Sequence, residues 1–247
     1  MGRITETVKH LLIINGIVFL ATSLYGNYLY DLFALHYYGN PLFQIWQPFT
    51  HMFLHGNFSH ILFNMIGLWM FGSPLEQLWG KNKFVFFYIS SGLGAAALQM
   101  IYSSYDFNSI FEILVNNGFN SDEIINTIKT KRYNTNWLSY ISEKQLNHLN
   151  ESFNLSMVGA SGALYGIIVA FAFLFPNVSL FLIFIPIPIK AKYFVPILIA
   201  GDLFFGFSNS FTIGNIAHFA HVGGALTGLG MMIYWKKNQF KNNRWDL

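Results

Sequence analysis

The chain has 247 residues, of which 53% are hydrophobic and 10% charged, where an ordinary soluble domain carries about 25% charged residues. That is a membrane-protein composition, and the lack of cysteine excludes disulfides, thiolate metal sites and a cysteine nucleophile. The formal charge is +3 and the pI about 9.0, but the basic residues are dispersed among loops and the aromatics sit inside apolar runs, which argues against nucleic-acid binding.

A hydrocarbon core of about 30 Å needs roughly 20 apolar residues per helix. Stretches free of Asp, Glu, Lys and Arg predict six spans, at about 11–30, 59–78, 84–104, 159–175, 192–208 and 216–235. The first follows "MGRITETVKH"; it is long and has no small-x-small cleavage site, so it reads as a retained span and not a signal peptide. Between the third and fourth spans, residues 105–155 are rich in Asn, Ser and charge, with weak helical patterning at "FEILVNNG" and "SDEIINTIKTK". They read as an inserted outer cap or loop within a single membrane domain, 1–247, tolerated without direct chemistry. "VSLFLIFIPIPI", Val178 to Ile189, is apolar over only twelve residues and is broken by Pro186 and Pro188, so it reads as an interfacial or re-entrant loop.

Six spans with the N-terminus inside put Arg3, Lys9, Lys81, Lys83, Lys190, Lys192, Lys236, Lys237, Lys241 and Arg244 on the cytoplasmic side, as the positive-inside rule expects. Lys129, Lys131, Arg132 and Lys144 fall in the long outer loop, where the rule loses force. A seventh span would export the C-terminal cluster.

Ionisable side chains inside spans cost about 2.5–3.5 kcal/mol at a helix centre, so each polar residue there is a functional candidate. Four groups qualify: His51, His55, His60 and Asn64 in "HMFLHGNFSHILFN"; Ser161 with Tyr165; His218 and His221 in "AHFAHVGG"; and Asp202, alone in the fifth span. The first three sit near the starts of the second, fourth and sixth spans, which all run from outside to inside, so they meet at one depth near the outer face. Asp202 lies outside that constellation and reads as a structurally paired or cavity-facing residue.

Spacing adds geometry. His60 and Asn64 share a helix face, as do Ser161 and Tyr165. His221, Gly224 and Gly228 follow one face of the sixth span, and the Gly-x-x-x-Gly spacing admits a close backbone. The fourth span offers a matching small surface in Gly159, Ala160, Gly162, Ala163 and Gly166. Packing the two faces would bring His221 beside Ser161. A serine becomes a useful nucleophile when a base takes its proton, and a helix N-terminus aims N–H groups and dipole at a developing oxyanion. His60 and Asn64 are candidate side-chain donors to it. No acid stands at useful local spacing from either histidine, which predicts a Ser-His dyad and not a triad. His218 lies about 60° from His221 around the helix, and the glycine register favours His221.

These segments resemble a known family. "GASG" around Ser161, the His-x3-His-x4-His-x3-Asn run and "AHVGGALTG" around His221 are similar to the three signature segments of rhomboid intramembrane serine proteases, and the resemblance covers about Trp46 to Trp235. It implies an all-α polytopic fold, a six-transmembrane-helix bundle with a membrane-dipping first loop from about Gly26 to Phe58. It further implies Ser161 as nucleophile, His221 as general base and acid, His60 and Asn64 as oxyanion donors, and Tyr165 as a ring packed on the catalytic histidine. His55 would be structural, and "PLEQLWG", with Glu76 and Gly80, is similar to the inner-end motif that stabilises the fold. The first loop carries Trp46-Gln47 where many members have Trp-Arg. Implied partners are transmembrane protein substrates and the lipid bilayer, with no cofactor and no metal; the implied location is a bacterial inner membrane with both termini cytoplasmic.

Two other classes stay open at this level. "HMFLH" and "HFAH" have metal-ligand spacings, but neither holds the Glu of a zinc-protease helix and no carboxylate is nearby in sequence, which weakens a membrane metalloenzyme. A non-catalytic protein that binds transmembrane helices would have no reason to keep both Ser161 and His221.

Overall fold

The structure, a computed structural model, describes residues 3–182, 185–208 and 217–238. Ile216, Lys241 and Arg244, used above, lie outside the described residues.

Helix α1 (Glu6–Tyr25) ends where Gly26 takes φ +57°, a region that residues with a Cβ avoid. The first span was expected to run to residue 30; instead the chain turns at Gly26 into the short helix α2 (Asn27–Phe33). The start of α1 is capped from a distance. The Glu76 carboxylate accepts from Thr7 N at 2.8 Å and Val8 N at 3.0 Å, and from the Thr5 hydroxyl. A carboxylate there satisfies amides that have no partner within the helix and meets the positive end of its dipole.

After α2 the chain makes the two-residue strand β1 (Leu35–His36), the short helix α3 (Gln47–Thr50) and a 3-10 turn at His51–Phe53. The second span is continuous but changes pitch: α4 (Phe58–Gly67), a π-helical turn at Leu68–Gly72, then α5 (Ser73–Trp79). Asn57 caps its start, its side-chain oxygen accepting from His60 N at 2.8 Å, and Gly80 at φ +76° ends it.

Helix α6 (Lys81–Asn116) has 36 residues, about 54 Å at 1.5 Å per residue, far longer than the predicted 84–104 and than the hydrocarbon layer. Its last third leaves the bundle and carries a cap. Helices α7 (Ser121–Lys129) and α8 (Glu143–Phe153) pack there with a 3-10 turn at Thr135–Ser139. Residues 105–155, expected to be a cap or loop, form a cap with a hydrophobic core of its own, in which Phe107, Ile110, Leu114, Ile124, Ile128, Trp137, Leu149 and Phe153 are buried. Local signals account for the helices: Asn120 caps α7, and Ser142 with Gln145 forms a capping box on α8. Tyr37 of the first loop completes this core, so the cap is fastened to that loop.

Strand β2 (Ser156–Met157) pairs antiparallel with β1, Leu35 opposite Met157, and leads into α9 (Ser161–Leu174). Helices α6, α9 and α11 (His218–Asn238) pack on one another, with α10 (Ala191–Ser208) alongside. Between α9 and α10, the stretch read as a loop forms an antiparallel hairpin of β3 (Ser179–Leu182) and β4 (Ile185–Lys190). Each strand of a two-stranded hairpin has a free edge, which accommodates the prolines of β4. Among the described residues, α1 and α6 are long and apolar enough to cross a bilayer on their own. Helix α9 has 14 residues, about 21 Å, so one of its ends is recessed within the roughly 30 Å layer.

Candidate active site

Ser161 is the first residue of α9, where the backbone N–H groups of the opening turn have no intrahelical acceptor. The residue two before it, Gly159, has φ +123° and its N–H donates to His51 O at 2.9 Å. A Cβ at Gly159 would fall 2.7 Å from His60 Nε2 and 3.6 Å from Ser161 Oγ. Backbone conformation and space therefore both require glycine, and the room it leaves lies between the serine hydroxyl and the His60 ring.

The small faces of α9 and α11 meet. A Cβ on Gly224 would lie 1.8 Å from Gly162 O, and one on Gly228 would lie 2.7 Å from Gly166 Cα, so the two backbones are in direct contact. This approach brings His221 Nε2 to 2.9 Å from Ser161 Oγ. Tyr165, one turn along α9, stacks on the His221 ring at 4.2 Å between centroids and 13° between planes.

His60 stands across the gap left by Gly159. Its Nδ1 faces the Gly56 N–H at 3.4 Å, a long contact, which leaves Nε2 as the nitrogen carrying the proton in the neutral ring, aimed at that gap. Asn64 is less directed. Its Nδ2 donates to His60 O at 2.9 Å along its own helix, and its Oδ1 is buried without a partner. Among the described residues the Asn64 amide makes no hydrogen bond to Ser161; its second N–H is uncommitted. His55 is fully buried, edge-on to His60 at 5.0 Å, and its carbonyl accepts from the Tyr30 hydroxyl at 2.8 Å. Burial, and then the nearby His60, push the His55 imidazole down to about 4.

Two features of the site were not legible beforehand. The first is Asp202, expected to lie outside the constellation. Its Oδ1 is 2.6 Å from His218 Nδ1 and 3.1 Å from His221 Nδ1, so Asp202 belongs to the constellation it was expected to lie outside. The acid comes from α10, 19 residues before His221, and no local spacing reports such a contact. Asp202, His218 and His221 place ligand-type atoms within 4.8 Å of one another, but both imidazole nitrogens converge on one oxygen at N–H···O distances, and hydrogen bonding accounts for the cluster.

The second feature is the bracing by the first loop. Gln47 is fully buried; its Nε2 donates to Leu42 O at 2.7 Å and its Oε1 accepts from His36 N at 3.2 Å. His51 Nδ1 bonds Gln47 O at 3.1 Å, and His51 O holds Gly159 N. The chain of contacts from Gln47 through His51 to Gly159 ends two residues from Ser161, and His36 Nδ1 adds a bond to Leu155 O at 2.9 Å. A glutamine thus anchors this loop through neutral hydrogen bonds. The signal available in the sequence was Gln47 standing next to Trp46, where many members of the family it resembles have Trp-Arg.

The family model described as the rhomboid domain matches residues 42–115 and 127–238. The chain belongs to the rhomboid family. It is therefore an integral membrane protein of a family of intramembrane serine proteases, some of whose members are inactive. The two matched stretches of the rhomboid domain take in Ser161, His221, His60 and Asn64, and leave unmatched only residues 116–126 of the cap between them. No curated protein matches the chain.

Proposed function

We propose that this rhomboid is an active serine endopeptidase that cleaves single-span membrane proteins within or beside their transmembrane helix. The observation that carries the reading is the 2.9 Å approach of His221 Nε2 to Ser161 Oγ at the start of α9. A non-catalytic helix-binding protein has no need for that contact.

In the proposed reaction Ser161 Oγ attacks the scissile carbonyl carbon and its proton passes to His221 Nε2. The carbonyl oxygen becomes an oxyanion that the N–H groups at the start of α9 can stabilise, together with His60 Nε2–H and the free N–H of Asn64. Collapse breaks the C–N bond, and His221 returns the proton to the leaving amine. Water then hydrolyses the acyl-enzyme by the same route in reverse, with His221 again the base. Tyr165 holds the plane of the imidazole through both halves, and His55 and Gly159 support the loop and the gap.

The substrate class is suggested by the rhomboid family, whose members act on transmembrane proteins within the bilayer. A peptide must reach the half-buried Ser161, and an intact helix hides its carbonyls within its own hydrogen bonds. The resemblance suggests small residues at the cut and helix-destabilising residues nearby, which would let the peptide unwind and expose its carbonyl. The dispersed basic residues support termini on the cytoplasmic side of a bacterial inner membrane, with the site and its cap facing out.

The test is turnover of a transmembrane reporter in liposomes, with labelling by a fluorophosphonate. Ser161→Ala should insert and purify normally yet neither cleave nor label. Persistent turnover in that variant, or no labelling of the wild type, would refute the assignment.

A further inference from the structure

Asp202 is 7% exposed within a span, where an ionised carboxylate is costly and needs a reason. Its Oδ1 lies 2.6 Å from His218 Nδ1 and 3.1 Å from His221 Nδ1. The Tyr165 hydroxyl is its third side-chain neighbour, while Oδ2 has no hydrogen-bond partner among the described residues. A carboxylate oxygen can only accept, so both Nδ1 atoms must donate. For neutral His221 this leaves the lone pair on Nε2, the nitrogen that is 2.9 Å from Ser161 Oγ. The opposite tautomer would present an N–H to the serine and could not take its proton.

We propose that Asp202 is a positioning residue of this site: it holds His221 in the Nδ1–H tautomer and stabilises the imidazolium formed when Ser161 is deprotonated, making the pair a three-residue relay. The inference rests on the protease reading above. His218 shares the same oxygen and holds the carboxylate in place from the adjoining turn of α11, so a purely mechanical tie between α10 and α11 would survive loss of the Asp202 charge. The relay would not.

The deciding variant is Asp202→Asn, which keeps the shape and can still accept one hydrogen bond, but removes the charge and offers an amide N–H to Nδ1. In the tautomer picture the result is a kcat lowered tenfold or more, a KM within threefold of wild type, and fluorophosphonate labelling slowed in parallel, in a protein whose melting temperature stays within a few degrees. A kcat loss below tenfold, or a loss carried by KM, overturns the proposal.

A second measurement is independent of both activity and the folding of the variant. In ¹⁵N-histidine-labelled wild type, the neutral His221 signal, identified by its absence from His221→Gln, should be that of the Nδ1–H form; the Nε2–H form overturns the proposal. Failure of the underlying protease reading looks different, since it leaves wild type without cleavage or labelling while the tautomer is still read directly.

Discussion

Gly224→Ala adds one methyl group where two helices touch backbone to backbone. The added Cβ would fall 1.8 Å from the Gly162 carbonyl oxygen and 2.7 Å from its carbon, and main-chain atoms cannot rotate aside as a side chain would. To reach ordinary van der Waals contact at 3.4 Å, α9 and α11 must part by about 1.6 Å. Ser161 adjoins Gly162 and His221 lies one turn from Gly224, so the reactive pair parts with them. A 2.9 Å contact then opens to about 4 Å or more, outside hydrogen-bonding range. Misplacement of about 1 Å is enough to cost about 10²-fold in rate, so kcat should fall by about 10² to 10⁴, with overpacking lowering stability by about 1–3 kcal/mol. The assay is turnover of a transmembrane reporter in one detergent, beside a melting curve. Gly230→Ala on the same helix meets nothing within 4 Å and should stay near wild type. A folded Gly224→Ala protein turning over within threefold of wild type would refute the idea that this glycine contact sets the distance between Ser161 and His221.

Four further outcomes are expected. His60→Ala should lower kcat by about 10²–10³, the usual cost of one oxyanion donor, and Asn64→Ala by less, since its amide is tied to His60 O; both should still label with fluorophosphonate, and full activity in both would remove the second span from the chemistry. His218→Ala should retain clear activity where His221→Ala has none, and the reverse pattern would exchange their roles. Glu76→Ala strips the acceptor from the start of α1, at about 1–3 kcal/mol for each unsatisfied buried amide, so thermal unfolding should shift down by several degrees while kcat of the folded fraction holds; an unchanged melting temperature would deny the cap. Burial pushes His51 and His55 down to about 4, so only their unfolded forms take up protons between there and the ordinary value of 6.5. Their contribution is complete above 6.5 and falls as pH drops toward 4, by about 1.4 kcal/mol per pH unit for each. A melting temperature that is flat across that window, or no flatter in His51→Gln and His55→Gln, would contradict this.

What the sequence determines by itself here is whatever repeats along one helix or announces its own end. The absence of charge marked long apolar helices without fixing their ends, the three-four spacing placed His60 with Asn64 and Ser161 with Tyr165, and the glycine registers around Gly162 and Gly224 foretold which faces would meet, because a missing side chain is visible in sequence as directly as in space. Local chemistry equally decided the caps at Asn57, Asn120 and Ser142. Tertiary structure alone decided the rest. Gly26 ended the first span early through a backbone angle that composition does not report, and residues 105–155, legible as a cap or a loop, became a packed cap because α6 runs on and collects an apolar face there. Asp202 joined the histidines because α10 packs beside α11. Gln47 was linked through His51 to Gly159 because the first loop folds back against the chain that leads into α9. Contacts between elements depend on how helices rotate and cross, which follows from the packing of many side chains at once, and no periodicity within a single segment encodes that.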